Sequence, residues 1–153
     1  MLEIERKFLV ANDSWKQEVT NSTAIKQGYL NSTPERTVRV RIRGEKGYLT
    51  IKGKNENLTR KEFEYEIPLS EANELLDLCE KPIIEKIRHL VIKDEFTWEI
   101  DVFEGDNKGL IVAEIELTSE NQRFETPAWI GKEVSADARY FNSSLIKLPY
   151  SKW

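Results

Sequence analysis

Hydrophobic and polar residues alternate with a period of two along most of the chain, in short segments separated by turn residues. Such alternation is typical of half-buried β-strands, because successive side chains of a strand point to opposite faces. The turn residues at 44–47, 55–57, 93–95 and 105–109 are suited to connecting neighbouring antiparallel strands. The pattern predicts eight strands, near residues 2–10, 24–30, 37–43, 48–54, 60–67, 83–92, 96–103 and 110–118.

Helical signals are fewer than strand signals. Ser70 is a suitable N-cap for a helix that ends before Pro82, and a second helix is predicted over residues 137–148. Short helical turns are expected around Trp15 and Phe124. The predicted fold class is therefore α+β, with antiparallel strands as the main component.

Seven of the eight predicted strands place charged side chains on one face, and these charges are sorted by sign. The acidic residues at alternate positions are Glu3, Glu5, Glu62, Glu64, Glu66, Glu99, Asp101, Glu114 and Glu116, and the basic ones are Lys7, Arg39, Arg41, Arg43, Lys52, Lys86 and Arg88.

A charged face on one strand is most simply the solvated side of a sheet. Sorting by sign is not needed for solvation, and like charges side by side on a strand repel each other unless something compensates them. Eight strands are enough to close a barrel that brings the basic and acidic faces together. Dry burial of so many charges would be prohibitive. We therefore expect a wet tunnel that holds a polyanion beside a divalent metal, with helices covering the apolar outer faces of an antiparallel β-barrel.

The composition restricts the class of protein further. The 153 residues are 39% hydrophobic and 33% charged, which suits a single soluble domain over residues 1–153. A net charge of -4 argues against a nucleic-acid binder with a broad basic surface. The single Cys79 cannot form an internal disulfide, and no apolar run is long enough for a signal peptide or membrane span. A cytoplasmic protein without a membrane partner is expected.

The two kinds of charge suit different parts of a phosphate reaction. Arginine binds phosphate oxygens with bidentate contacts, and lysine acts as a point charge. Clustered carboxylates without histidine or cysteine neighbours are hard oxygen ligands, which suit Mg²⁺ or Mn²⁺ rather than zinc. Such ions bridge phosphates and activate water in phosphoryl transfer.

The run Glu3-Ile4-Glu5-Arg6-Lys7 resembles the N-terminal signature of the CYTH family of triphosphate tunnel enzymes. The resemblance continues in family order over nearly the whole chain, through Val38-Arg39-Val40-Arg41, Leu49-Thr50-Ile51-Lys52-Gly53, Arg60-Lys61-Glu62-Phe63-Glu64, Lys86-Ile87-Arg88, Glu99-Ile100-Asp101, Glu114-Ile115-Glu116 and Arg139-Tyr140-Phe141-Asn142.

The resemblance implies an eight-stranded tunnel with distinct metal and phosphate sites. The implied metal-binding residues are Glu3, Glu5, Asp101, Glu114 and Glu116, with Glu62 and Glu64 as possible additional acids. The implied phosphate-binding residues are Lys7, Arg39, Arg41, Lys52, Lys86 and Arg88.

Tyr29 and Lys52 match a tyrosine–lysine pair implicated in catalysis among short bacterial relatives, whereas a lone strand tyrosine would otherwise be assigned to packing. Arg43 lies one step beyond the usual pair of arginines, so its sequence position leaves open whether it contacts substrate or lines the mouth.

The compact chain and its opening motif most resemble short bacterial tripolyphosphatases. This implies hydrolysis of inorganic tripolyphosphate to pyrophosphate and phosphate by a monomer or homodimer. The alternatives are a thiamine or nucleoside triphosphatase, a class IV adenylate cyclase and a non-catalytic polyphosphate-binding module. A base-recognition signature is missing from the sequence, and retention of all the metal-ligand acids favours an enzyme over a binding module.

Overall fold

The computed structural model describes residues 2–153, which form nine β-strands and two α-helices. The strands are β1 (Leu2–Val10), β2 (Val19–Asn31), β3 (Arg36–Arg43), β4 (Lys46–Gly53), β5 (Thr59–Ile67), β6 (Ile84–Lys93), β7 (Phe96–Phe103), β8 (Ile111–Glu116) and β9 (Ile130–Glu133). The helices are α1 (Leu69–Asp77) and α2 (Asn142–Leu145), and 3₁₀ helices occur at Ser14–Glu18, Gly105–Asn107, Ala138–Tyr140 and Tyr150–Lys152.

The strands form a closed antiparallel barrel. Their order is β5-β4-β3-β2-β6-β7-β8-β1, and the pairing of β1 with β5 closes the circle. The short strand β9 is an addition that pairs with the second half of β1. The predicted α+β fold with an eight-stranded antiparallel barrel is confirmed, and β9 is the strand that the sequence pattern did not predict.

Apolar residues pack in three clusters around and within the barrel. One cluster lies outside β1, β6, β7 and β8, where Trp98 and Ile100 pack against Trp15 and Trp129. A second fills one end of the barrel interior, because inward positions such as Phe103 and Val112 are apolar there. They pack against residues of the C-terminal segment, which we define as residues 134–153. The third lies beneath α1. The charged part of the interior therefore lies beyond the apolar end.

Helix α1 covers the outer face of β3 and β4, as the sequence predicted for helices. It approaches closely because Gly47 has no side chain: a Cβ there would lie 2.6 Å from the Cβ of Ala72. The expectation that helices cover all the apolar outer faces is wrong for β5, where Phe63 is 45% exposed and Tyr65 is 56% exposed. Within residues 2–153, no helix has the length and apolarity needed to cross a membrane.

The predicted helix ends need correction. Pro68, not Ser70, occupies the N-cap position of α1, and it supplies no side-chain hydrogen bond. Residues 137–148 do not form one helix, because the extended backbone of Phe141 separates a 3₁₀ turn from α2. A 3₁₀ helix does include Trp15, whereas Phe124 lies in irregular backbone.

Candidate active site

The charged strand faces converge inside the barrel and line a cavity of about 200 Å³, which we call the tunnel. Among the residues predicted for the site, Lys86 and Asp101 are outside the lining. All the others, including Tyr29, line the tunnel. The charged lining residues are Lys7, Arg39, Arg41, Arg43, Lys52, Arg60, Arg88, Glu3, Glu5, Glu62, Glu64, Glu99, Glu114 and Glu116.

Two buried arginines of β3 give one part of the wall a positive charge. The Arg39 guanidinium donates to Thr50 Oγ1 at 3.2 Å, and its buried Nε has no hydrogen-bond partner among residues 2–153. Arg41 donates from Nε to Gln27 Oε1 at 3.0 Å. Burial, with the charges of Arg39 and Arg88, lowers the pKa of Arg41 to about 9. Like charges held together in a buried wall favour the binding of an anion.

Lys52 is held between two carboxylates of the acidic wall. Its Nζ lies 2.9 Å from both Glu3 oxygens and 3.2 Å from Glu62. Although burial opposes the shift, Lys52 lowers the pKa of Glu3 to about 2. Burial and the hydrogen bond with Glu3 raise the pKa of Glu62. Lys52 therefore stands where the acidic and basic parts of the tunnel meet.

Asp101 and Lys86 form a buried network behind the lining. Lys86 Nζ donates to Asp101 Oδ2 at 2.7 Å, and Arg88 donates from Nε and Nη2 to the two Asp101 oxygens, each at 2.8 Å. Despite burial, Arg88 and Lys86 hold the pKa of Asp101 well below its usual value. Both Asp101 oxygens thus accept bonds from cations of the protein, an arrangement different from the implied metal-ligand role.

Glu5 and Glu116 lie directly opposite each other on β1 and β8. Among the described residues, neither carboxylate forms a salt bridge, whereas Glu114 lies 3.8 Å from Lys7. Burial, with the charges of Glu114 and Glu3, raises the pKa of Glu5 to about 8. Burial and the same kind of repulsion raise the pKa of Glu116. Within residues 2–153, these two acids therefore lack the basic partner that each of the other acids lining the tunnel has.

Glu5 and Glu116 fit a hard divalent cation, because they are opposite each other in the strand register and each is crowded by other acids, so both gain from an added positive charge. Within residues 2–153, no three aspartate, glutamate, histidine or cysteine side chains converge on one metal position. Mg²⁺ in proteins commonly takes one or two carboxylates and completes its octahedron with water and substrate phosphate. The donor set of the tunnel is suited to that kind of binding.

Tyr29 faces the tunnel from β2 and lies beside Arg39 of β3 in the strand register. It is also part of the apolar cluster that fills one end of the barrel. Lys52 is on β4, so β3 separates the two strands, and no hydrogen bond within residues 2–153 joins the two side chains. The packing role is evident from the contacts, and the catalytic role of the pair stays a prediction.

Arg43 lies at the mouth, where it is exposed and held by an aromatic ring. Its guanidinium lies 4.7 Å from the Tyr48 ring centroid and donates to the Tyr48 hydroxyl at 3.1 Å. Arg43 therefore lines the mouth rather than the buried wall that contains Arg39 and Arg41.

The sequence pattern did not single out several polar residues of the site. Arg60 lies 3.6 Å from Glu3, and its alternation with Glu62 was a signal that could have placed it in the tunnel. Gln27 contacts Arg41 and Asn142 contacts Lys86. Asn142 belongs to the family-like segment Arg139-Tyr140-Phe141-Asn142 but received no role there, and alternation gives no signal for the neutral amide of Gln27.

Comparison with known proteins agrees with this architecture. Residues 1–148 match the CYTH domain family. The chain is 50% identical over 152 residues to an inorganic triphosphatase of Acetivibrio thermocellus, with 99% of this chain and 97% of that protein covered. It is 36% identical over 150 residues to an inorganic triphosphatase of Nitrosomonas europaea, with 95% and 97% covered. A crystal structure of an inorganic triphosphatase matches with a TM-score of 0.67 at 35% identity, covering 94% of this chain and 93% of that one. The chain therefore belongs to the CYTH domain family.

Proposed function

We propose that the protein hydrolyses inorganic tripolyphosphate to pyrophosphate and phosphate, with Mg²⁺ or Mn²⁺ as cofactor. The observation that carries the proposal is one cavity lined both by the buried Arg39 and Arg41 and by Glu5 and Glu116, which form no salt bridge within residues 2–153. The inorganic triphosphatases that resemble the chain over nearly its full length support the same reaction.

The lining favours a substrate without an organic group. Besides Tyr29, the larger apolar side chains of the tunnel wall are Leu58 and Phe141. A nucleobase or thiazolium ring would desolvate charged groups without replacing their hydrogen bonds, which is costly. An inorganic triphosphate presents only charged oxygens and therefore matches this wall.

The roles of the side chains follow from their positions in the tunnel. Arg39, Arg41 and Arg88 bind phosphate oxygens, because their guanidinium groups are held in fixed orientations by neighbouring side chains. Lys7 adds a point charge from β1, where its Nζ also donates to the Tyr140 carbonyl at 3.1 Å.

On the acidic side, Glu5 and Glu116 would hold the cation, and Glu3 and Glu114 would contribute negative charge beside them. A bound divalent cation would neutralise phosphate oxygens and so favour P–O bond cleavage. Glu62 and Glu64 orient Lys52 and Arg39, which they approach to 3.2 and 3.6 Å.

Lys52 and Tyr29 both line the tunnel, from the strands on either side of β3, and this supports a shared role at the reacting phosphate. We assign charge stabilisation during cleavage to Lys52 and orientation of the attacking water to the Tyr29 hydroxyl. A Tyr29→Phe variant with the parent kcat on tripolyphosphate would remove that hydroxyl from the mechanism. We assign Asp101 and Lys86 to supporting Arg88 from behind the lining. In this assignment Asp101 does not bind metal and Lys86 does not bind phosphate.

A phosphate-release panel tests the proposed function directly. Tripolyphosphate, ATP and thiamine triphosphate are each tested with Mg²⁺, with Mn²⁺ and with EDTA in place of metal. Formation of cyclic AMP is also measured in the ATP reactions. We expect metal-dependent release that is fastest with tripolyphosphate. Faster turnover of an organic triphosphate, formation of cyclic AMP, or full activity in EDTA would each contradict a part of the proposal.

The raised pKa of Glu5 predicts pH-dependent metal binding. A carboxyl with a pKa of about 8 is mostly protonated at neutral pH, so a cation has to displace its proton. We expect the apparent affinity for Mg²⁺ to rise about tenfold per pH unit below pH 8 and to level off above it. Titration calorimetry in buffers of different ionisation enthalpy measures both the affinity and the proton release. An affinity independent of pH between 6 and 8 would contradict the assignment of Glu5.

The raised pKa of Glu5 also predicts how the stability of the metal-free protein depends on pH. Between the ordinary glutamate pKa of 4.5 and about 8, the folded protein keeps a proton that the unfolded chain has released. The contribution of Glu5 to the free energy of unfolding therefore falls as the pH rises through that range. Urea unfolding in EDTA at several pH values checks the direction, with Glu5→Gln as the control that lacks the titrating group.

A further inference from the structure

Gln27 is a neutral polar residue that is fully buried on the inward face of β2, among charged neighbours. Its Oε1 accepts a hydrogen bond from Arg41 Nε at 3.0 Å, and its Nε2 donates to Asn142 Oδ1 at 3.3 Å. The same Asn142 oxygen accepts from Lys86 Nζ at 3.2 Å. The two amides therefore connect β3, β2 and β6 through the turn of helix α2.

The connection continues to the other side of the basic wall. Lys86 binds Asp101, and Asp101 binds Arg88 through both carboxylate oxygens. Arg41 and Arg88 consequently lie at the two ends of one hydrogen-bonded chain of side chains. The C-terminal segment contributes Asn142 to this series of hydrogen bonds, and Asn142 directly follows the tunnel-lining Phe141.

Arg41 needs such an anchor because its surroundings do not fix it by charge. Arg39 and Arg88 repel it, and their charges contribute with burial to the lowered pKa of Arg41. An acceptor on Nε determines the plane of the guanidinium and leaves the two terminal nitrogens free to bind an anion together. Gln27 provides that acceptor, and Asn142 keeps the Gln27 amide in the required orientation.

We propose that Gln27 and Asn142 are positioning residues that fix Arg41 for phosphate binding, so that docking of the C-terminal segment completes the anion site. The proposal rests on the proposed function, because it assigns phosphate binding to Arg41. It adds a dependence of the tunnel arginines on a neutral amide pair. A residue acting in this way loses its effect when the arginine that it positions is removed.

The central experiment compares Gln27→Met in two backgrounds, the parent protein and Arg41→Ala. Loss of a hydrogen bond to a charged group is expected to lower kcat/KM on tripolyphosphate by about 10- to 100-fold in the parent. In the Arg41→Ala background the same substitution is expected to cost less than about threefold, because its target is already absent. Losses of equal size in both backgrounds would overturn the proposal.

Asn107→Ala is the matched control for loosening of the C-terminal segment. Asn107 is also a buried amide, and its Oδ1 accepts from the Tyr150 backbone N–H at 2.8 Å, away from the tunnel arginines. We expect Asn107→Ala to lower the melting temperature with little change in kcat/KM. A loss of kcat/KM as large as that of Gln27→Met would mean that general loosening explains both results, and would overturn the proposal.

The NMR signal of Arg41 Nε–H gives a readout that needs no substrate. In the parent protein the hydrogen bond to Gln27 should make this signal slow to exchange with water, and Asn142→Ala should speed its exchange even if Gln27→Met does not fold. An unchanged Arg41 signal in Asn142→Ala would overturn the positioning role. Failure of the parent protein to release phosphate would instead contradict the proposed function, while the NMR comparison would still decide the positioning contact.

Discussion

Replacing Glu5 or Glu116 with glutamine is expected to lower kcat on tripolyphosphate by more than about 100-fold and to leave the fold intact. Loss of groups that merely orient a metal ligand typically costs about 10- to 100-fold, so loss of a ligand itself should exceed that range. The two residues face each other on β1 and β8, and burial with neighbouring acids raises the pKa of both. Their glutamine variants keep the shape of the side chain but cannot provide a carboxylate to the cation.

The same reasoning predicts that Glu5→Gln is no less stable than the parent protein in metal-free buffer. Folding places the Glu5 carboxylate among other acids, and an amide avoids that repulsion. Reduced turnover with unchanged or increased stability separates a functional residue from a structural one. Calorimetric titration measures the affinity for Mn²⁺, circular dichroism checks the fold, and urea unfolding measures the stability.

Glu66→Gln is the matched control for charge. Glu66 alternates with Glu62 and Glu64 on β5 but lies outside the tunnel lining, so its substitution replaces one glutamate with glutamine on a charged strand face without touching the site. We expect parent-like turnover from this variant. Parent-like metal binding and turnover in both Glu5→Gln and Glu116→Gln would refute the assignment of the acidic pair.

Alternation along the strands was sufficient to predict which side chains face the interior. Period-two patterning places Arg39 with Arg41, and Glu114 with Glu116, on one face whatever the details of closure. Because charges of one sign on neighbouring positions require compensation, the same pattern also indicated a barrel rather than an open sheet. The inward charged faces were therefore readable from the sequence.

Depth within the barrel was not readable in the same way. Lys86 and Arg88 share a face of β6, yet Arg88 reaches the tunnel and Lys86 is sealed behind it by Asp101 and Asn142. Alternation determines the face of a residue, whereas its depth depends on the tilt of the strands and on what fills each end of the barrel.

The C-terminal region was the least predictable part for a related reason. The helical pattern over residues 137–148 is local, but Phe141 and Asn142 make tertiary contacts that require an extended residue between two short helical turns. Asn142 bonds to Lys86, which is distant in sequence. Tertiary contacts of this kind override local propensity, and no short sequence window contains both partners.

Asp101→Asn is expected to lower the free energy of unfolding by about 3–5 kcal/mol, because it removes the anion that two buried cations share. Lys86 and Arg88 would then lie within the barrel with much less compensation for their charge. For a protein of this size the change corresponds to a fall in melting temperature of about 6–20 °C. Catalytic activity should fall as well, since Arg88 loses the bidentate contact that orients it towards the tunnel.

Glu133→Gln distinguishes this network from an ordinary arginine–carboxylate pair. Arg6 binds Glu133 through two hydrogen bonds of 2.9 and 2.6 Å, but both side chains are partly exposed on the barrel exterior. A surface pair of this kind contributes about 0–1 kcal/mol, so the control should unfold close to the parent protein. Thermal and urea unfolding in EDTA compare the two variants without any contribution from metal. If Asp101 served as a metal ligand, Asp101→Asn would instead unfold like the parent protein in EDTA. It would differ from the parent only in the stabilisation gained on adding Mn²⁺. That outcome would refute the structural role of Asp101 and restore the ligand role implied by the family resemblance.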